Sequence, residues 1–329
     1  MRYSNVNLLN LMIFSCIALF LLVGCESKYR SYITRVVMQL TPSTPTASKI
    51  GVTEVAPTET STLSLTVTPF SKSKSTTTQT PEPSTLTPIP RLNPLEARKL
   101  VSNLLATNSG CKLPCWWGIK PAMTTWEEAY NFLVSFAVED PYIITFPDQS
   151  LLRSSFQFST SEEKAQKVIQ DYKVQNGIVE FIEVLFSRVE TTTLADLLNS
   201  YGPPGEVWIR TFGTEYKGTI PFYLLLFYPD QGILALFQSN DATLEVDKVR
   251  KCFNHDTVYE LALWSPNNKL TFDEAKKQTE GIKFDDPFPL LPLEKATDFD
   301  IDTFFEKFKK PKSDACLETS ADLWPGQYE

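Results

Sequence analysis

The sequence predicts an α+β protein in which helices pack on antiparallel β-sheet, in two tandem related units, after a disordered stalk. Three observations lead there. Apolar residues recur at helical spacing in a few short stretches and then switch to a period of two. The capped helical pattern Thr125-Trp-Glu-Glu-Ala-Tyr-Asn131 returns as Thr193-Leu-Ala-Asp-Leu-Leu-Asn199, and strand-like runs follow each copy. Residues 41–90, by contrast, are roughly three-fifths Ser, Thr and Pro, too polar to offset the entropy of ordering them.

The chain of 329 residues therefore divides unevenly. Residues 1–24 read as a lipoprotein signal peptide, with an apolar run ending in Leu22-Val-Gly-Cys25. That Leu-x-Gly-Cys pattern has the form of a lipobox, where a thiol is alkylated by a diacylglycerol donor and the preceding bond is cut. Cys25 is the expected lipidation site, and palmitate an expected acyl group. The competing reading is an uncleaved anchor helix, because the run is near the short limit for a membrane span. Residues 25–92 form the expected stalk, and two acyl chains at its start are enough for firm anchoring. Residues 93–329 are the expected globular part, with units at 115–190 and 191–265 and an extension at 266–329.

Within that part the elements read in order. Leu100, Val101, Leu104 and Leu105 make a helical stripe behind Asn93-Pro94, with proline at a tolerated first-turn position. Thr125 and Glu128 form a capping box for the next helix, which buries one face through Trp126, Ala129, Tyr130, Leu133 and Val134. Strands are expected at 142–146, 154–158, 167–174 and 178–186, the last two joined by Asn176-Gly177, a type I′ turn signal. The second unit opens with the helix behind Thr193, which stops at Gly202-Pro-Pro204. Strands are then expected at 207–212, 222–228, 233–238 and 258–264. Helices at 271–279 and 300–309 follow.

Cysteine usage supports an oxidising compartment. With Cys16 in the leader and Cys25 acylated, Cys111, Cys115, Cys252 and Cys316 remain, an even set in an exported chain. The preferred pairing is Cys111–Cys115 and Cys252–Cys316. A metal site competes poorly, because no Cys-x-x-Cys occurs and His255 is the lone histidine.

Net charge is −8, and the part after residue 90 stands at about −11, which argues against a nucleic-acid partner. No triad, phosphate-binding glycine loop or EF-hand spacing occurs, so no catalytic residue, metal ligand or cofactor is assigned. The acidic groups Asp285-Asp286 and Asp298/Asp300/Asp302 read as solvated surface rather than calcium ligands. The most unusual chemistry is aromatic. Trp116, Trp117 and Trp126 are the candidate binding surface for a protein or a cell-wall glycan, against the plainer reading that they pack beneath the Cys111–Cys115 loop.

Three stretches also carry a resemblance: Gly118-Ile-Lys-Pro-Ala-Met-Thr-Thr125, Leu197-Leu-Asn-Ser-Tyr-Gly-Pro-Pro204 and Tyr228-Pro-Asp-Gln-Gly-Ile-Leu234. With Ala122 where the families have glycine, the chain resembles SmpA/OmlA-type lipoproteins of outer-membrane assembly and the β-lactamase-inhibitor-like fold over about residues 115–240. The segment Cys111-Lys-Leu-Pro-Cys-Trp-Trp-Gly-Ile119 is similar to one in long-stalked bacterial lipoproteins. The resemblance implies helices on four-stranded antiparallel sheets in tandem, and a binding role. It transfers no functional residues.

The expectation is thus a lipid-anchored protein on the extracytoplasmic face of the cell membrane, most simply a non-enzymatic binding or scaffolding module. The alternative is a surface hydrolase, or an inhibitor of one, acting on wall polymer or peptide.

Overall fold

A computed structural model describes residues 89–146, 150–162, 166–213, 218–282, 284, 289–310 and 315–324. These lie within one compact unit spanning Thr80–Glu329. The expected leader, Cys25 and most of the expected stalk lie outside the described residues, as does the acidic pair Asp285-Asp286.

Each unit is a helix followed by an antiparallel meander. The chain enters through α1 (Pro94–Thr107), started by a capping box between Asn93 and Glu96 and ended at Asn108 in the left-handed region. Helix α2 (Trp126–Val134) has the capping box of Thr125 and Glu128, and α3 (Leu194–Tyr201) repeats it with Thr193 and Asp196. After α2 come β1 (Tyr142–Thr145), β2 (Leu151–Ser159), β3 (Lys167–Gln175) and β4 (Ile178–Ser187). After α3 come β5 (Glu206–Arg210), β6 (Ile220–Tyr228), β7 (Ile233–Glu245), β8 (Lys248–Cys252) and β9 (Val258–Trp264). Asn176 and Gly177 both take positive φ, 51° and 78°, as the β3–β4 hairpin requires.

The sheet runs β1-β2-β3-β4-β9-β7-β6-β5-β10, where β10 is the short Leu291–Pro292. The last strand of one unit therefore pairs antiparallel with the last strand of the other, β4 with β9. The equivalence of the units is visible in their hydrogen bonds. The Val179 N–H donates to the Thr124 carbonyl at 3.0 Å, and the Val258 N–H donates to the Thr192 carbonyl at 3.0 Å. The offset from Val179 to Val258 equals that from Glu183 to Ala262, and these last two face each other across the β4–β9 seam. Each unit thus meets its copy through equivalent residues, as a local two-fold requires.

Alternation gives the sheet two faces. The first carries Phe156, Phe158, Ile182, Val184, Leu224, Leu226, Leu261 and Leu263 into the main core, under α1, α2, α3 and α6 (Ile301–Phe308). The second carries Phe181, Leu225, Phe227, Leu236 and Trp264 against α4 (Phe272–Gln278) and Ile282. Phe272 stacks on Trp208 at 4.5 Å between ring centroids and meets Phe227 edge-on at 5.8 Å. The helix of Leu293–Ala296, α5, packs against β5.

The strand expected at 207–212 stops at Arg210, and the one expected at 233–238 runs on to Glu245. Beyond the sheet, β7 continues into a ribbon with β8 and β11 (Cys316–Ser320). Neither β8 nor β11 was expected. Lys248-Val-Arg-Lys-Cys252 and Cys316-Leu-Glu-Thr-Ser320 bury Val249 and Leu317 fully but are otherwise too polar to read as strands. Cys252 and Cys316 stand directly opposite in that ribbon and are disulfide-bonded, as are Cys111 and Cys115. Asp300 accepts the Thr303 N–H at 2.7 Å and caps α6, a structural use for part of that acidic group.

Candidate functional site

Two of the three tryptophans expected to form a binding surface are buried. Trp116 and Trp117 are only 6% and 2% exposed, and Trp126 is half-buried. Trp116 and Trp117 stack at 5.5 Å; Trp117 meets Phe158 edge-on at 5.1 Å, and Trp116 meets Phe186 at 5.8 Å. Trp126 lies 6.1 Å from Phe156 and 6.0 Å from Tyr172. Asn108 fastens the loop over them. Its Nδ2 donates to the Cys111 and Cys115 carbonyls at 2.9 and 2.8 Å, and its Oδ1 accepts the Trp117 N–H at 2.7 Å. The disulfide loop is a plug at one end of the core, so its ring area is spent inside the molecule and is not offered to a sugar or partner.

The unusual chemistry lies instead at the seam, on the second face. Period two puts Ser155, Asp171, Glu183 and Ala262 in one row across β2, β3, β4 and β9. Glu260 shares that face two residues along β9. Both glutamates are buried, at 4% exposure for Glu183 and 0% for Glu260. A buried carboxylate needs donors. Glu183 has them in the backbone just past α4, where the Glu280 N–H reaches its two oxygens at 2.8 and 3.0 Å and the Gly281 N–H reaches it at 2.9 Å. Burial pushes the Glu260 carboxyl up to about 10, and the hydrogen bond to Glu183 and its charge add to this, followed by the charge of Asp171. Raised that far, Glu260 is a neutral acid at neutral pH, close to Glu183. Burial raises Asp171 as well, with Glu183 and Glu280 adding to it and the Ser155 hydrogen bond opposing.

The strap over these acids, residues 278–282, is clasped by the first unit. Lys173 Nζ donates to Gln278 Oε1 at 2.9 Å and also to the Gln278 carbonyl. Arg153 pairs with Glu280 at 2.6 Å. Helix α4 is fixed to the second unit by Phe272, so the extension ties the two units together across their seam. Gly281 lies against the acid pair: a Cβ there would sit 2.1 Å from Glu260 Oε2. Gly281→Ala is expected to destabilise the fold by about 1–3 kcal/mol, since neither the strap nor a fully buried side chain yields freely. Urea unfolding checks this, and an unchanged midpoint would mean that the strap is loosely held.

Beyond the strap no described residue covers the second face. The second-face side chains of β2 and β3, among them Arg153, Gln157, Lys167 and Asp171, are half-buried, and the whole of β1 is exposed. Lys167 Nζ reaches Gln157 Oε1 at 3.2 Å. Tyr142 and Ile144 lie opposite Ser155 and Arg153 and extend this face at its edge, at 69% and 40% exposure. The result is a mixed polar and apolar sheet surface, with a rigid charged rim along the strap.

Sequence reasoning missed this site. Glu183 and Glu260 each interrupt an apolar strand, and that was the available signal. Among the described residues no group of three or more His, Cys, Asp or Glu could hold a metal ion, and no helix is long and apolar enough to cross a membrane. Comparison with protein-family models, curated proteins and solved structures finds no match to this chain.

Proposed function

We propose that this chain is a lipid-anchored binding module on the extracytoplasmic face of a membrane, held by acylated Cys25, that docks a protein partner on the uncovered half of its second sheet face. The observation that carries the reading is the division of that face. The extension builds over the half belonging to the second unit and leaves Tyr142 and Ile144 exposed, and Arg153, Gln157 and Asp171 part-exposed, on the half belonging to the first. Aromatic and arginine side chains on a preformed surface are the groups that anchor protein contacts. The acidic balance of the globular part speaks for a protein or wall-associated partner over nucleic acid. The hydrolase reading has less support. Glu183 and Glu260 meet beneath the strap, where a polymer does not reach them.

The test has two arms. Wild-type chain is expected in the membrane fraction, and Cys25→Ala in the soluble fraction or retained as unprocessed precursor. A Cys25→Ala chain with unchanged membrane partition and mature mass would remove the lipid anchor from the proposal. In the second arm, a photo-crosslinker at Gln157 is expected to trap one protein species in intact cells, while the same group at Glu294, on the exposed surface of α5, traps none. Equal labelling at both positions, or capture of wall glycan alone at Gln157, would overturn the docking face.

A further inference from the structure

The edge of β1 has a self-complementary pattern. The Phe146 N–H donates to the Leu151 carbonyl at 3.1 Å, so Phe146 and Leu151 form a hydrogen-bonded antiparallel pair. In an antiparallel ladder such pairs alternate with non-bonded ones. The register Ile144 with Arg153 and Tyr142 with Ser155 makes these the bonded pairs. The β2–β3 ladder agrees. The Asn176 N–H donates to the Ser150 carbonyl at 2.8 Å, which turns the even-numbered residues of β2 toward β3 and the odd-numbered ones toward β1. The N–H and C=O groups of Ile143 and Thr145 therefore point away from β2, toward the end of the sheet. Among the described residues no strand pairs with that edge, since β1 ends the strand order.

Natural sheet edges are shielded by proline, charge, bulges or a covering element. The opposite edge follows that rule, because β10 contains Pro292 and leads into α5. Tyr142-Ile-Ile-Thr145 carries no charge and has its nearest proline, Pro141, just before its start, and Tyr142, Ile143 and Ile144 are 69%, 39% and 40% exposed.

We propose that this edge pairs antiparallel with β1 of a second copy of the chain, about a two-fold axis at Ile144. The register that uses all four outward backbone groups sets Ile143 opposite the second copy's Thr145, and Thr145 opposite its Ile143. Ile144 then meets Ile144 on the axis, and Tyr142 meets Phe146 on either side. Tyr142, Ile144 and Phe146 lie on the same uncovered face as Arg153, whose guanidinium stands 5.9 Å from the Phe146 ring centroid. Pairing joins exposed Tyr142 and Ile144 and half-buried Phe146 of each copy into one apolar strip, with no charged residue in the paired register. At the approach to the strand, Asp140 is already neutralised in its own copy by Arg91. The paired strand is short, so the dimer is weak and concentration-dependent rather than permanent. Its consequence is one sheet running through both copies, with the two uncovered faces side by side.

Single cysteines placed in turn at residues 142–146 of the membrane-held full chain test this register. Under mild oxidation, Ile144→Cys is expected to give a disulfide-linked homodimer at least tenfold more readily than Ile143→Cys or Thr145→Cys, whose equivalents lie off the axis. A flat profile over the five positions, or linkage at 144 to a different protein, would overturn the proposal. Sedimentation of the full chain in detergent gives an independent reading. Ile144→Lys sets two ammonium groups face to face and is expected to weaken self-association at least tenfold, and mixing it with Ile144→Glu chains should restore pairing. Wild-type chain that stays monomeric at every concentration, or Ile144→Lys that associates like wild type, would also refute it. These outcomes do not depend on what docks at Gln157.

Discussion

Glu260→Gln is expected to be more stable than the wild type at pH 8, by about 4 kcal/mol relative to the difference between the two at pH 5. The folded Glu260 carboxyl is raised from its ordinary value of 4.5 to about 10. A group raised on folding contributes its full stability below the unfolded value and loses it as pH rises through the folded value. Between those limits the wild type should lose about 1.4 kcal/mol per pH unit from this group, because the unfolded chain releases a proton that the folded chain keeps. Glutamine has nearly the same shape and stays neutral at every pH, so it removes the slope. Burial also raises Asp171 and Asp256, so each adds a loss of the same sign as pH rises above its ordinary value. Urea unfolding of both chains at pH 5, 6.5 and 8 measures the difference directly. Parallel pH profiles would show that Glu260 does not hold its proton at the seam.

Replacing Cys252 and Cys316 together by serine should cost about 4 kcal/mol in the chain-entropy model, for a closed segment of 64 residues. The segment closed includes β9, α4, the strap and α6, so opening it frees most of the second-face cover in the unfolded ensemble. In the folded state the loss should centre on the ribbon of β8 and β11, where Lys251 is buried and paired to Asp256 at 2.9 Å. Trp324 should loosen with it, since its Nε1–H donates to Thr319 at 3.1 Å. The same change at Cys111 and Cys115 opens a segment of only 4 residues and should cost about 2 kcal/mol in that model. Denaturation with and without reductant distinguishes the two. Equal losses for the two pairs would mean that strain or core packing, rather than chain closure, sets their contributions.

Most helices and most strands were legible because their signals are local. Thr125 with Glu128, Thr193 with Asp196 and Thr271 with Glu274 each cap a helix within one turn of chain, and each box is present in the fold. Asn176-Gly177 needed no tertiary context to make its turn, because its two residues accept positive φ readily. The tandem arrangement was legible for the same reason: each unit announces itself with the same capped helix. The ribbon was not legible, since β8 and β11 each turn one small apolar set inward and owe their pairing to a disulfide and to the overrun of β7. Trp116 and Trp117 show a different limit. Their size marked them as important, but sequence does not distinguish a ring that grips a partner from one that fills a core.

Taken alone, the sequence determined the caps and turns of its elements, the two-unit repeat, and the pairing of Cys111 with Cys115 and of Cys252 with Cys316. Tertiary structure alone decided that β4 meets β9, that Glu183 and Glu260 come together beneath residues 278–282, and which half of the second face the described residues leave uncovered. The physical reason is that a period of two states only that a strand has two faces. What lies against each face depends on pairings between segments far apart in the chain, and these follow from the summed fit of many side chains rather than from any single local pattern.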